Sequence, residues 1–350
     1  MKHAALRQRH ILIVTDAWTP QINGVVRTLQ AVQAELLAMG YAVEVIGPDR
    51  FTTLPCPTYP EIRLAMASPG AIGRRIDAFQ PDAIHLATEG PLCLAARHLC
   101  LRRGLSFTTA FHTNFPDYME SRTGLSADLF WPYFRWFHSV ASAVLVSTPT
   151  VAVGLHGAGI SQTHIWGRGV DLALFRPEGP DHAAFAALPR PIMLNVGRVA
   201  VEKNVEAFLA LDMPGSKVVV GDGPALPALR ARYPQTHFLG PQTGAALAAA
   251  YRSADVLVFP SETDTFGLVM IEALASGTPV AALPVMGPVD VLTGVTGAMD
   301  RRLDVAVHQA LRLDRAACAS HGRSFSWRRS AEQFLASLHW LDKAPYARVA

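Results

Sequence analysis

Apolar residues in this chain come in short runs, and between the runs they recur at helical spacing. The run HILIVTD leads into a polar loop and then into Val25, Leu29, Val32 and Leu36, which share one helix face closed by Gly40. A second run, AVEVIG, follows, so the opening reads as a strand-helix-strand unit of a parallel sheet. The same alternation continues through DAIHLA, SFTTAFH and AVLVSTP.

After Arg176-Pro177 the pattern loosens, with Pro180, Pro189 and Pro191 close together. The alternation then restarts with PIMLNVGR and passes through KVVVGDGP, THFLG, ADVLVFP and TPVAAL, again with helical stretches between. This predicts two doubly wound α/β domains, 1–175 and 176–325, facing each other across a cleft. The closing FSWRRSAEQFLASLHWL is amphipathic and predicts a helix within 326–350 that packs back on the first half.

Residues 259–280, FPSETDTFGLVMIEALASGTPV, are the most informative stretch. Leu268, Ile271, Leu274 and Ala275 recur at helical spacing, Gly277 supplies a left-handed stop and Pro279 starts the next strand. The helix is expected to open with Thr265, Phe266 and Gly267, with Asp264 in front of it and Glu272 about two turns in. Unpaired amides at such a helix start favour an anion or polar hydroxyls. Alone, the same carboxylates fit a helix cap and a solvated helix residue equally well.

Composition narrows the class. A 350-residue chain that is 50% hydrophobic and 17% charged has material for two globular domains and is not disordered. The first apolar run is too short for a secretory segment, so the mature chain is expected to begin at the given start. Residues 136–167 lack Asp, Glu, Lys and Arg, but polar residues, Pro149 and several glycines interrupt them, which predicts a buried strand-and-helix unit rather than a membrane span. The cysteines at 56, 93, 100 and 318 have no metal-ligand spacing, which points to a reduced, cytoplasmic setting. The net charge of +3 is too weak for a nucleic-acid partner, and no such binding motif is present.

In open parallel sheets ligands sit beyond the carboxyl ends of the strands. That rule selects residues 16–24, 112–114, 197–204, 221–224 and 261–267. Asn23-Gly24 exposes backbone at a helix start, although an ordinary turn explains the pair as well, and the three-glycine dinucleotide fingerprint is missing. Arg198 and Lys203, in NVGRVAVEKN, suit a diphosphate leaving group, with lysine otherwise found only at 2, 217 and 343. His112 stands at a strand's carboxyl end, where it either orients a sugar hydroxyl or serves as a hydrogen-bonded core residue. The aromatic run FWPYFRWFH, near Arg122 and Arg135, fits an acceptor groove or membrane interface as well as ordinary core packing.

Taken together, DAWTPQINGVVRTL, HTNF, GRGVDLALFRP, GRVAVEKN, GDGP and DTFGLVMIEALASGTPV, in that order, resemble glycosyltransferase family 4 over almost the whole chain. These are retaining enzymes of GT-B architecture with two Rossmann-like domains, the first on the acceptor side and the second on the nucleotide-sugar donor side. The opening motif is most similar to bacterial mannosyl- and glucosyltransferases acting on diacylglycerol-type glycolipids, some of which use GDP-mannose.

The resemblance implies that Asn23, Gly24, Arg198 and Lys203 approach the donor diphosphate and that Glu272 holds the ribose hydroxyls. It also implies donor contacts at Gly221, Thr265, Phe266, Gly267 and Leu268, with Asp264 near the donor sugar; Asp264, His112, Arg198 and Lys203 are the expected catalytic residues. The family usually carries two glutamates seven residues apart; Asp264 keeps the spacing to Glu272 but is one methylene shorter, which favours sugar positioning over covalent catalysis. No metal or other cofactor is implied, and no Asp-x-Asp motif is present. The expected partners are a nucleotide-diphosphate sugar and a lipid or glycan acceptor, at the inner face of the cytoplasmic membrane. The rival readings are a nucleotide-sugar epimerase of the same architecture, a glycosyltransferase acting on soluble glycans, a two-lobed binding protein and a dehydrogenase. The first is disfavoured by the Arg198/Lys203 and Asp264/Glu272 set, and the last by the missing glycine fingerprint.

Overall fold

The computed structural model describes residues 7–21, 23–56 and 59–342, without the side chains of residues 56, 59–62, 121 and 122. Lys2, Lys343 and the end of the expected 326–350 segment therefore lie outside the described residues, as do the Cys56 and Arg122 side chains.

The chain forms two compact units. The first comprises Met1–Pro116, Ser126–Gly167 and Trp327–Ala350, and the second Asp117–Leu125 and Arg168–Ser326. The divisions at 167/168 and 326/327 differ from the expected 175/176 and 325/326, because Val170 bridges to Ser326 while Gly167 donates its N–H to Gln333 Oε1 at 2.8 Å.

In the first unit the strands are β1 (His10–Val14), β2 (Ala42–Ile46), β3 (Thr53–Cys56), β4 (Tyr59–Ala65), β5 (Ala83–Leu86), β6 (Thr108–Phe111), β7 (Val144–Val146) and β8 (Thr163–Ile165). Six of them form a parallel sheet in the order β2-β1-β5-β6-β7-β8. β3 and β4 form a separate antiparallel pair. Ile11 and Ile13 of β1 pack with Leu29, Val32 and Leu36 of the helix Gly24–Ala38, the face read from the sequence. Phe334 and Ala331 of the helix Trp327–Ser337 close the same core, and Trp166 Nε1 donates to Ser330 Oγ at 3.0 Å.

The second unit holds β9 (Ile192–Val196), β10 (Ser216–Val220), β11 (His237–Gly240), β12 (Val256–Phe259), β13 (Val280–Ala282) and β14 (Gly297–Met299). Its sheet is parallel, in the order β11-β10-β9-β12-β13-β14. This is the doubly wound arrangement in which the strand order reverses beside the first strand. Two such sheets are what the alternating pattern predicts. The β3–β4 hairpin, β8 and β14 are additions to that pattern. Among the described residues, no helix is long and apolar enough to cross a membrane.

Candidate active site

In the second unit the order reverses between β9 and β12. Loops leaving two such strands diverge and open a crevice at their carboxyl ends. The ladder here covers Met193↔Val256 and Leu194↔Leu257. Just beyond it the buried Asn195 donates its Nδ2 to Val258 O at 3.1 Å, bridging the strands where they splay.

Lys203 is delivered by the loop after β9, which tightens into a short turn at Val201–Lys203. Asp264 comes from the loop after β12. Lys203 Nζ donates to Asp264 Oδ1 at 2.5 Å, with the side chains 31% and 22% exposed. The same two loops are tied by Thr263 Oγ1 donating to Glu202 O at 3.3 Å and by Asn204 Nδ2 donating to Pro260 O at 3.3 Å. Arg198 stands half-buried two residues beyond the end of β9.

The helix that follows spans Leu268–Ala275, so it opens three residues later than the sequence suggests. Gly267 sets that start. Its φ of 82° is left-handed, and a Cβ there would meet Met270 Cε and Phe259 Cζ at 2.9 Å. Asp264 is consequently not the cap; the cap position is Gly267, which has no side chain to offer the first-turn amides. Thr265 and Phe266, both buried, lead up to it, and Leu268 is its first residue. Glu272 lies just over one turn in rather than two. It is 3% exposed, and Tyr251 donates its hydroxyl to Glu272 Oε2 at 2.8 Å.

Gly221 follows β10 and packs closely on a neighbouring loop. At φ 143° a Cβ would lie 1.8 Å from Gly197 O, so the glycine lets the loop after β10 pack onto the one that carries Arg198. Val199 N donating to Asp222 O at 2.9 Å completes that seam.

In the first unit Asn23 is the N-cap of the helix Gly24–Ala38, its Oδ1 accepting from Val25 N and Val26 N at 3.0 Å. That oxygen is therefore committed to the helix, and Gly24 is the exposed first helical residue. His112 follows β6 and is set edge-on against buried Trp166, with ring centroids 5.3 Å apart. The aromatic run divides. Phe134, Phe137 and His138 are buried, whereas Tyr133 and Trp136 are 36% and 51% exposed.

The reversal between β1 and β5 holds a second polar cluster. Asp16 accepts from Leu92 N at 2.7 Å and from Thr88 Oγ1 at 2.9 Å, capping the helix Pro91–Arg103 from a distant part of the chain. A Cβ on Gly90 would lie 2.4 Å from Asp16 Cγ. Glu89 Oε1 is 3.3 Å from His138 Nε2, and Tyr133 donates its hydroxyl to Glu89 O. Burial raises the Asp16 and Glu89 carboxyls above their usual range, although the hydrogen bonds to Asp16 and the His138 contact to Glu89 act the other way. The loop after β5 is a strand end like the others, so the strand-end rule extended to ATEGP marks Glu89. Tyr251 carries no such signal, since one more ring on an apolar helix face is the commonest of patterns.

Residues 22–174 match the family described as Glycosyltransferase Family 4, and residues 190–312 match Glycosyl transferases group 1. A GDP-mannose-dependent alpha-mannosyltransferase of Mycolicibacterium smegmatis is 35% identical over 306 residues, covering 81% of each chain. Another so described, from Mycobacterium tuberculosis, is 32% identical over 306 residues with the same coverage. Among solved structures, a sucrose-phosphate synthase from Thermosynechococcus elongatus superposes with a TM-score of 0.78 at 22% identity, over 94% of this chain and 98% of that one, which gives the fold as GT-B. With that fold, those matches and a cation–carboxylate pair at the switch point of its second sheet, the chain belongs to glycosyltransferase family 4.

Proposed function

We propose that this glycosyltransferase moves a hexose, mannose ahead of glucose, from a nucleoside-diphosphate sugar to a hydroxyl of a lipid or glycan acceptor, with retention of the anomeric configuration. The observation that carries the site is the Lys203–Asp264 pair on the loops that lead to the glycine-capped helix Leu268–Ala275, which carries the buried Glu272. GDP-mannose is the donor of choice because the two mannosyltransferase relatives are GDP-mannose-dependent.

In this reading Arg198 and Lys203 stabilise the charge that grows on the departing diphosphate, with help from the amides around Thr265 to Leu268. Glu272 accepts the ribose hydroxyls and Asp264 a hydroxyl of the sugar. For the first unit the roles rest on the motifs: Gly24 toward the diphosphate and His112 toward a sugar hydroxyl. The acceptor oxygen bonds to the anomeric carbon on the face from which the diphosphate leaves, the carbon–oxygen bond to phosphate breaks, and the acceptor proton passes to the departing phosphate oxygen. In this proposal the transfer uses no metal.

A glycolipid or diacylglycerol-type acceptor at the cytoplasmic membrane face is supported by the exposed side chains of Leu129, Tyr133 and Trp136. Turnover of GDP-mannose by Lys203→Ala and Glu272→Ala tests the site. Both are expected to fold and to lose transfer, and wild-type turnover in either overturns the assignment. Proton NMR of the first product formed checks retention.

A further inference from the structure

Glu272 sits in an apolar setting. Its helix neighbours Met270, Ile271, Ala273 and Leu274 are all fully buried, and a carboxylate in such surroundings needs hydrogen-bond donors to be tolerated. One donor is the hydroxyl of Tyr251, itself fully buried, on the helix Gly244–Ser253.

Tyr251 is held firmly. Its ring meets Phe175 edge-on at 5.8 Å, and its carbonyl accepts from Thr278 Oγ1 at 2.6 Å. Arg315 donates to Arg252 O and Ala254 O at 2.7 Å, anchoring the end of the same helix. The helix that carries Glu272 is equally constrained, since a Cβ on Gly322 would lie 2.2 Å from Ala275 N. Backbone packs on backbone there. Donor and acceptor are thus fixed on separate, tightly packed elements, and their hydrogen bond selects one orientation of the carboxylate.

We propose that Tyr251 is a positioning residue for nucleotide recognition, fixing through its hydroxyl the Glu272 orientation that accepts the ribose hydroxyls. The inference rests on the proposed ribose role of Glu272. A structural tyrosine would act through its ring; a positioning tyrosine acts through its oxygen. Removing the oxygen while keeping the ring lets the carboxylate turn, so the loss falls on ligands that carry the ribose diol.

The test is isothermal titration of wild type and Tyr251→Phe with GDP and with 2′,3′-dideoxy-GDP, and in parallel with the UDP pair. Wild type is expected to prefer the ribonucleotide by about tenfold or more, as for a hydrogen bond to a charged group. In Tyr251→Phe the preference should shrink to within about threefold, through weaker ribonucleotide binding and with dideoxynucleotide binding unchanged, which also reports an intact fold. Glu272→Gln and the double variant should show equal preferences, because the two residues act as a unit. A wild-type preference in Tyr251→Phe, or additive losses in the double variant, overturns the inference and leaves the ribose role of Glu272 standing. Absence of any preference in the wild type for either base overturns both. Should Tyr251→Phe fail to fold, 3-fluorotyrosine placed at 251 keeps the ring and the hydroxyl while making the donor more acidic; the ratio must then move, and an unchanged ratio overturns the inference.

Discussion

Lys203 Nζ lies 2.5 Å from Asp264 Oδ1, and each residue stands on a loop leaving one of the two strands where the second sheet reverses its order. The pair is partly exposed, so it adds little to stability. Its importance is local, because the carboxylate occupies the ammonium that the proposed diphosphate would use. Asp264→Asn keeps the shape and removes that competition. The expected outcome is GDP affinity unchanged or up to about tenfold tighter, with kcat lowered by about a hundredfold once the sugar loses its carboxylate. Titration and initial rates separate the two effects, and a variant that loses GDP binding would show that Asp264 is not a competitor.

Gly221 makes a second prediction from crowding. Gly221→Ala puts a methyl 1.8 Å from Gly197 O at φ 143°, so backbone must move in the loop that leads to Arg198. A cost of about 2–4 kcal/mol is expected, with loss of nucleotide binding. Gly240→Ala is the control. Gly240 has φ 72° with nothing within 4 Å of an added Cβ, so only conformational strain of about 1 kcal/mol applies. Urea unfolding compares them, and equal losses would remove the packing argument.

Much of this was legible because both sheets are built from short, buried strands, whose apolar runs announce themselves. The loops at 197–204 and 261–267 followed from the strand-end rule alone. What escaped the pattern depends on long-range contact or on backbone conformation. Asp16 caps a helix whose amides are at Leu92 and Cys93, and nothing local to Asp16 signals this. The left-handed φ of Gly267 moved the helix start from Thr265 to Leu268, a choice that neighbouring side chains do not dictate. β3 and β4 escaped because Pro55 and Pro60 interrupt them, as edge strands allow. Tyr251 looked like core, and it is core, but its oxygen meets a carboxylate.

His85 makes acid stability testable. It is fully buried, with Thr108 Oγ1 2.8 Å from Nδ1, and burial lowers its pKa from 6.5 to about 3. The unfolded chain therefore binds a proton between about pH 6.5 and 3 that the folded chain refuses, and stability falls as pH falls through that window. Asp16 and Glu89 have the opposite sign, since their raised folded pKa values favour the folded state on acidification. Comparison with His85→Gln isolates the histidine. The variant should lose less stability between pH 6.5 and 4.5 than wild type, by up to one proton's slope in chemical denaturation; identical slopes would refute the assignment.

Leu129 and Trp136 decide the membrane proposal. They are 65% and 51% exposed, while Phe134 and Phe137 on the same short segment face the core, so the outward pair can change without emptying the interior. Arg97 stacks on Trp136 with Cζ 4.0 Å from the ring centroid, which makes Leu129→Gln the cleaner single change. Inserting one large apolar side chain into the headgroup boundary contributes about 1.5–3 kcal/mol when burial is complete. Partial burial of both still predicts at least a tenfold loss of vesicle binding in Leu129→Gln/Trp136→Gln. Flotation with vesicles containing anionic lipid measures it, beside transfer to a water-soluble acceptor, which the double variant should retain. Wild type that never floats, or a variant that floats equally well, removes the membrane surface from the proposal and leaves a soluble glycan as the acceptor to test.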